Sequence, residues 1–373
     1  MYDRLPALEL PERAAARRDS GADLIPLQGV PTLPMPPHVV DAVVRAAGAV
    51  FPRQSRGSEA LRSAIADQLA TRYGLAVDAS TELLITHGAQ HGMSVALRAL
   101  LSPGDEVLIP APTYFFDAGV RMAGAVPRYV ASGAEDGWAL PLDRLAAAVT
   151  GATKAIIICN PNNPTGNVAG EADLVALLEL AKKHDLLVFA DESYEDYVHD
   201  GPGYRPQQCF RHVHDRLVTV TSFSKNLALT SWRVGYLHAP ADLLEAIHHA
   251  FEWDAINVGD LSQIAAHAAL TGPRDWLEPA FRTFRERRAL LLESIAAAGF
   301  TAWSPSAGVF CFADFSRTGL SGDELQDALL AVGVPALTGN HFRGSGSFAR
   351  VLYGGSAESL REVAGRLKLL PRA

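Results

Sequence analysis

Lys225 ends the run Ser222-Phe223-Ser224-Lys225, just after the β-rich stretch Leu217-Val218-Thr219-Val220-Thr221. Eight residues on, Arg233 stands in Thr230-Ser231-Trp232-Arg233-Val234-Gly235-Tyr236. Upstream lie a Pro/Gly turn, Asn160-Pro161-Asn162-Asn163-Pro164-Thr165-Gly166, and an acid, Asp191, that closes Leu187-Val188-Phe189-Ala190. A lysine past one strand can form an imine with a carbonyl, and an acid past another can keep a heterocyclic nitrogen protonated. Together with an asparagine in a turn, these are the parts needed to hold pyridoxal phosphate, with Lys225 as its Schiff-base partner.

The phosphate of such a cofactor needs donors. Thr86-His87-Gly88-Ala89-Gln90 ends a strand and opens a helix, so free N–H groups and the helix dipole point at whatever binds there. Ser222 and Arg233 add a hydroxyl and a fixed positive charge to the same anion. The bland alternatives are an ordinary turn at Gly88 and a surface ion pair for Arg233. Asp191 emerges from an apolar strand and should face a cation, the pyridinium or, failing that, a helix N-terminus. Tyr194 and the Asn163 amide can reach the ring oxygen and Tyr114 can stack on the ring, although core packing explains each tyrosine as well. For Lys225, a helix N-terminus and Arg233 should lower the pKa, favouring imine formation and removal of the substrate Cα proton.

These residues need strand ends to position them. Candidate strands are 82–86, 106–110, 126–129, 155–159, 187–191, 218–222 and 233–237, with helical patterns at 90–101, 115–123 and 172–184. The alternation predicts an α/β fold with a mostly parallel seven-stranded central sheet and helices on both faces, binding its ligand at the carboxyl ends of the strands. A long helix over 273–298 leads into strands at 309–314 and 348–352 and helices at 322–331 and 357–369, a smaller α+β domain. The expected division is a large domain over 46–272 and a small one built from 1–45 and 273–373.

Composition narrows the function. The 373 residues are 48% hydrophobic and 20% charged with a net charge of −8, which argues against nucleic-acid or membrane-surface binding. Cys159, Cys209 and Cys311 show no metal or redox spacing and fit a reducing cytoplasm. No signal peptide or membrane span is expected. His87 and His91 are four apart without a third ligand, so no metal is expected. His212, His214, His248 and His249 are expected on solvated surfaces, and Gly344-Ser345-Gly346 as a turn rather than a dinucleotide loop, because a strand follows it.

With these motifs in view, the chain resembles the class I/II aminotransferases of the fold-type I PLP enzymes, from about residue 24 to 369. The carrying motifs are Asn-Pro-x-Asn-Pro-Thr-Gly, Asp-x-x-Tyr, Ser-x-Ser-Lys and the arginine eight residues past the lysine. The resemblance implies Lys225 as the imine lysine, Asp191 at the ring nitrogen, Asn163 and Tyr194 at the ring oxygen, and Tyr114 stacked on the ring. It puts Ala89, Gln90, Ser222 and Arg233 in the phosphate cup. Gly29, in Gly29-Val30-Pro31, and Arg350 match the groups that hold the substrate α-carboxylate, and a homodimer is implied. Two positions depart from the pattern. Phe51 stands where relatives carry a tyrosine that reaches the partner's phosphate, with Arg53 or Arg56 as replacements, and Leu352 stands where a small polar residue is usual.

The expected reaction is transfer of an amino group from an amino acid to a 2-oxo acid by a ping-pong route through Lys225. The enzymatic rival is a PLP lyase, cyclase or replacement enzyme using the same residues. A PLP-binding transcriptional regulator would need a DNA-binding module, and only about twenty residues precede the catalytic fold.

Overall fold

The computed structural model describes residues 4–27, 29, 33–49, 54–200 and 203–373. Seven strands form the larger sheet: β1 (Leu83–Thr86), β2 (Glu106–Ala111), β3 (Val126–Ala131), β4 (Thr153–Cys159), β5 (Leu187–Asp191), β6 (Leu217–Ser222) and β7 (Gly235–His238). Their order is β1-β7-β6-β5-β4-β2-β3, with β3, β2, β4, β5 and β6 parallel and β7 antiparallel to both its neighbours. The physical cause is legible in the central strands, whose middle positions are apolar toward both faces. Leu187 and Phe189 pack into a cluster with Val95 and Leu97 on one face, while Val188 and Ala190 pack with Leu174 and Leu178 on the other. Strands apolar on both sides must be covered on both sides.

The helices flanking the site are Ala89–Leu100, Asp117–Met122 and Glu171–Lys183, each within two residues of its expected bounds. The last strand starts at Gly235 rather than at 233, because Arg233 takes a left-handed conformation (φ 50°) that ends the preceding turn.

A second, antiparallel sheet follows: β8 (Thr301–Trp303), β9 (Phe310–Asp314), β10 (Leu337–Thr338) and β11 (Phe348–Leu352), in the order β10-β11-β9-β8. Helices Glu278–Ala297 and Ala357–Leu367 cover one of its faces through Leu291, Ile295, Leu360 and Val363. In β11, Ala349 and Val351 point into that core, so period-two alternation turns Phe348, Arg350 and Leu352 the other way. The N-terminal segment divides its contacts. Leu10 of the helix Pro6–Asp19 packs with Phe312, Leu337 and Phe342, and the Ile25 N–H donates to Gly333 O at 2.8 Å. The helix Pro37–Ala46 instead lies on Asp260–Thr271, with Val39 fully buried in the core of the larger sheet.

Two histidines expected on the surface are buried. His214 meets the Leu186 carbonyl at 2.7 Å, and His248 lies 2.9 Å from the Ser55 hydroxyl. An imidazole with one satisfied ring nitrogen is inexpensive to bury, and a sequence does not show such a partner. His212 and His249 are exposed.

One backbone crossing fixes the site's floor. Gly235 lies against Gly88 and Ser222 so closely that a Cβ there would overlap the Thr221 carbonyl oxygen and stand 3.0 Å from Gly88 Cα. Gly235→Ala is therefore expected to destabilise the protein by about 1–3 kcal/mol, the usual cost of overpacking. Urea unfolding of both proteins measures it, and equal midpoints would refute the crossing.

Candidate active site

The parallel order places the carboxyl ends of β4, β5 and β6 side by side. In register, Cys159 stands beside Asp191 and Asp191 beside Val220, and the Asn160 N–H donates to the Asp191 carbonyl at 2.9 Å. Asp191 is buried, and its Oδ1 accepts from the Ser193 N–H at 3.0 Å. Burial raises its pKa, while Ser193 and the charge of Lys225 pull it back. The local cap and the facing cation thus coexist.

Lys225 sits in a single helical turn, Phe223–Asn226, capped by Ser222, whose Oγ accepts from the Ser224 N–H. Its pKa is lowered to about 8, first by burial, then by Arg350 and Arg233, with Asp191 opposing. The expected direction holds, but the leading cause is desolvation, and Arg350 outranks Arg233. A helix of one turn carries little dipole.

The remaining residues gather around this pair. Gly88 has φ +80°, and a Cβ there would stand 3.2 Å from Arg233 Nη2 and 3.7 Å from Ser222 Oγ. A backbone N–H end, a hydroxyl and a guanidinium thus converge where the helix Ala89–Leu100 begins with Ala89 and Gln90. Arg233 donates to Ser224 Oγ and the Thr230 carbonyl and pairs with no carboxylate among the described residues. That donor set suits a phosphate.

Tyr114 lies close enough to Asp191 and Arg350 to feel both charges, and burial raises its pKa to about 12. Tyr194 is buried edge-on to Phe310, and burial likewise raises its pKa. Arg350 Nη1 donates to Asn163 Oδ1 at 2.9 Å, which leaves the Asn163 NH2 group to act as a donor. The guanidinium lies over the Phe342 ring, 4.9 Å from its centroid, and its buried Nε finds no acceptor. Gly29 abuts the same face of β11, since a Cβ there would be 2.9 Å from Leu352 Cδ2. The structure therefore brings every one of these sequence-derived candidates to one place. A cavity of about 650 Å³ opens there, bounded by Gln90, Tyr114, Asp191, Phe115, Asn340 and Arg343. Phe51 and Arg53 lie outside the described residues, and Arg56 pairs with Glu245.

Behind the lysine lies a group that sequence reasoning did not single out. Glu192 and Glu195 are both buried, flanked by Tyr73, Tyr204 and Tyr236. Glu192 Oε1 accepts from the Gln207 N–H at 2.7 Å, and Glu195 accepts from Asn226 Nδ2 at 3.0 Å and Tyr73 Oη at 3.4 Å. The signal available was the density of acids in Asp191-Glu192-Ser193-Tyr194-Glu195-Asp196 directly after a buried strand. At the cavity mouth, Phe115 stacks on Phe342 and Arg343 reaches Asp117 at 3.4 Å, contacts between segments far apart in the chain.

Residues 28–367 match the family model for aminotransferase class I and II. An aspartate/prephenate aminotransferase of Thermus thermophilus is 33% identical over 371 residues, covering 97% of this chain and 94% of that protein. An arginine–pyruvate transaminase of Pseudomonas aeruginosa is 33% identical over 375 residues, covering 98% and 95%. The solved aspartate aminotransferase from Thermus thermophilus with maleate superposes with a TM-score of 0.93 at 31% identity, covering 99% of this chain and 97% of that one. The chain belongs to the class I and II aminotransferases, a PLP-dependent family. It is an enzyme that moves amino groups, and these relatives support transamination over the lyase or cyclase alternative.

The buried acids make stability depend on pH. Burial, ahead of every other cause, pushes the Glu192 pKa up to about 8. Between an ordinary glutamate pKa and about 8, the folded chain keeps a proton that the unfolded chain has released. Stability should therefore fall as pH rises through that window, by up to about 1.4 kcal/mol per pH unit for one proton. Glu192→Gln keeps an oxygen for the Gln207 N–H and removes the titration. Its melting temperature should exceed the parent's at pH 8 and converge with it toward pH 5. Parallel melting curves across that range would refute a protonated Glu192.

Proposed function

We propose that this aminotransferase holds pyridoxal phosphate between Lys225, Asp191 and the Gly88–Ala89 helix start, and passes an amino group from a primary amino acid to a 2-oxo acid in two half-reactions. The observation that carries the reading is a half-buried lysine at the end of one strand, a buried aspartate at the end of its neighbour and a converged anion cup beside them, with desolvation lowering the lysine pKa to about 8. When bound, the cofactor supplies a carbonyl that condenses with amines and a ring that accepts the electron pair released at the substrate Cα.

The chain's own residues do the rest. Asp191 would hold the ring nitrogen in its protonated form, an interaction the low-dielectric strand end would strengthen. Lys225 Nζ, with a pKa near 8, has a fraction of neutral amine at physiological pH, so it can add to a carbonyl and can take and return the Cα proton. Ser222, Arg233, Gln90 and the Ala89 N–H bind the phosphate. Tyr194 Oη and Asn163 Nδ2 would donate to the ring oxygen, and Tyr114 would cover one ring face. Arg350 and the Gly29 N–H grip the α-carboxylate, with Arg350 already oriented by Asn163 and Phe342.

A homodimer fits the surface. Trp253 is 95% exposed and Ile256 57%, beside half-covered Leu261, an apolar exposure that a monomer would carry at a cost in solubility. We assign residues 46–272 to a large domain and 1–45 with 273–373 to a small one, supported by the distinct cores of the two sheets, although Leu33, Met35, Val39 and Val43 of the N-terminal segment pack on the larger sheet's core. No described helix is long and apolar enough to cross a membrane, and the three cysteines are free, which supports a cytoplasmic location.

Single amino acids added to the PLP-loaded protein without an oxo acid should each yield at most one equivalent of oxo acid and bleach the visible band, and an added oxo acid should restore it. Catalytic release of ammonia would overturn transamination. Lys225→Ala should abolish both the band and turnover, and a retained band would overturn the lysine assignment. Trp253→Glu should shift the sedimenting species from dimer toward monomer, and an unchanged distribution would remove this patch from the interface.

A further inference from the structure

Lys225 is carried by a helix of only four residues, which is too short to hold its own geometry. Its orientation must come from bonds made by other segments. Besides the Arg233 bond to Ser224 Oγ, three side-chain bonds supply them. Thr230 Oγ1 donates to the Ser224 carbonyl at 2.8 Å, Tyr197 Oη donates to the Lys225 carbonyl at 3.3 Å, and Asn226 Nδ2 donates to Glu195 Oε1 at 3.0 Å. Two of the three come from the segment directly following Asp191. In that segment Asp191 lines the cavity, while Glu195 and Tyr197 reach the lysine turn. Glu195 is itself anchored, by Tyr73 Oη and by the neighbouring Asp196, which Arg72 and Arg274 hold at 2.6 and 3.1 Å.

We propose that Glu195, acting through the Asn226 amide, and Tyr197, acting on the Lys225 carbonyl, are positioning residues that set where the Lys225 amine stands relative to Asp191. The proposal rests on the cofactor reading above for its spectroscopic test. One chain segment then fixes both the acid of the ring nitrogen and the amine of the imine. This linkage makes a distinctive demand. The charged groups that act on Lys225 are Arg350, Arg233 and Asp191, and neither Asn226 nor Tyr197 carries a charge. Removing either side chain therefore changes no nearby charge, so a change in the titration of Lys225 reports a change in its position or its burial.

The experiment compares the native protein with Asn226→Ala, Tyr197→Phe, Glu195→Ala and Glu195→Gln. The PLP-loaded proteins are titrated by visible absorbance across about pH 5 to 10, where a perturbed lysine or its imine titrates. The cofactor-free proteins are titrated by the rate at which Lys225 is labelled with an amine reagent. Asn226→Ala, Tyr197→Phe and Glu195→Ala should each move the Lys225 midpoint by at least about 0.5 unit, a threefold change in the proton equilibrium. Glu195→Gln, which can still accept from Asn226, should keep the native midpoint. Asn226→Ala combined with Glu195→Ala should move it no further than either alone. Native midpoints in Asn226→Ala and Tyr197→Phe would overturn the proposal, as would Glu195→Gln shifting as far as Glu195→Ala. Tyr197→Phe, the least disruptive variant, keeps the test decisive if a Glu195 variant fails to fold. A native protein without a Lys225-dependent band would sink the cofactor reading instead, and the labelling titration would still decide the positioning.

Discussion

The site depends on keeping a lysine amine and an aspartate carboxylate together out of water. Neither charge is tolerable alone at the buried end of an apolar strand, and each moderates the cost of the other. The same desolvation that makes the pair expensive brings the lysine near the pH at which it can both donate and accept a proton. Arg350 and Arg233 push it further in that direction, so the groups suited to bind two anions also tune the amine.

This constraint explains the order of the sheet. Asn163, Asp191 and Lys225 are widely separated in sequence, and they meet because β4, β5 and β6 run parallel with their carboxyl ends aligned. A parallel arrangement buries both faces of these strands, which supplies the dry surroundings the pair requires. The antiparallel β7 then crosses behind, and at Gly235 its backbone packs directly on Gly88 and Ser222.

The smaller sheet contributes mainly through one face of β11, with Phe310 of β9 beside Tyr194. Alternation along β11 sends Ala349 and Val351 into the core and turns Arg350 and Leu352 to the opposite side of the strand. Arg350 bonds Asn163, the Thr113 N–H donates to the Phe342 carbonyl, and Phe115 stacks on Phe342. These contacts tie Arg350 to the turns after β2 and β4. Leu352, bulkier than the small polar residue usual in the family, lies against Gly29 rather than standing free in the cavity.

The sequence alone was sufficient for the class of fold, the seven central strands and the residues gathered at their ends. The buried parallel strands have apolar centres, and the chemical residues follow them within a few positions, so both signals are local. Its motifs also carried the family resemblance. The short strands β8 and β10 and the helix Pro6–Asp19, which contains Pro11, went unanticipated because brief or interrupted elements give little periodicity. Tertiary structure alone decided that His214 and His248 are buried, that desolvation outranks the helix field at Lys225, and that Glu192 and Glu195 lie in a polar core beneath the lysine. Those outcomes turn on which distant segments exclude water and which partner each polar atom meets, and neither is written in the spacing of residues along a chain.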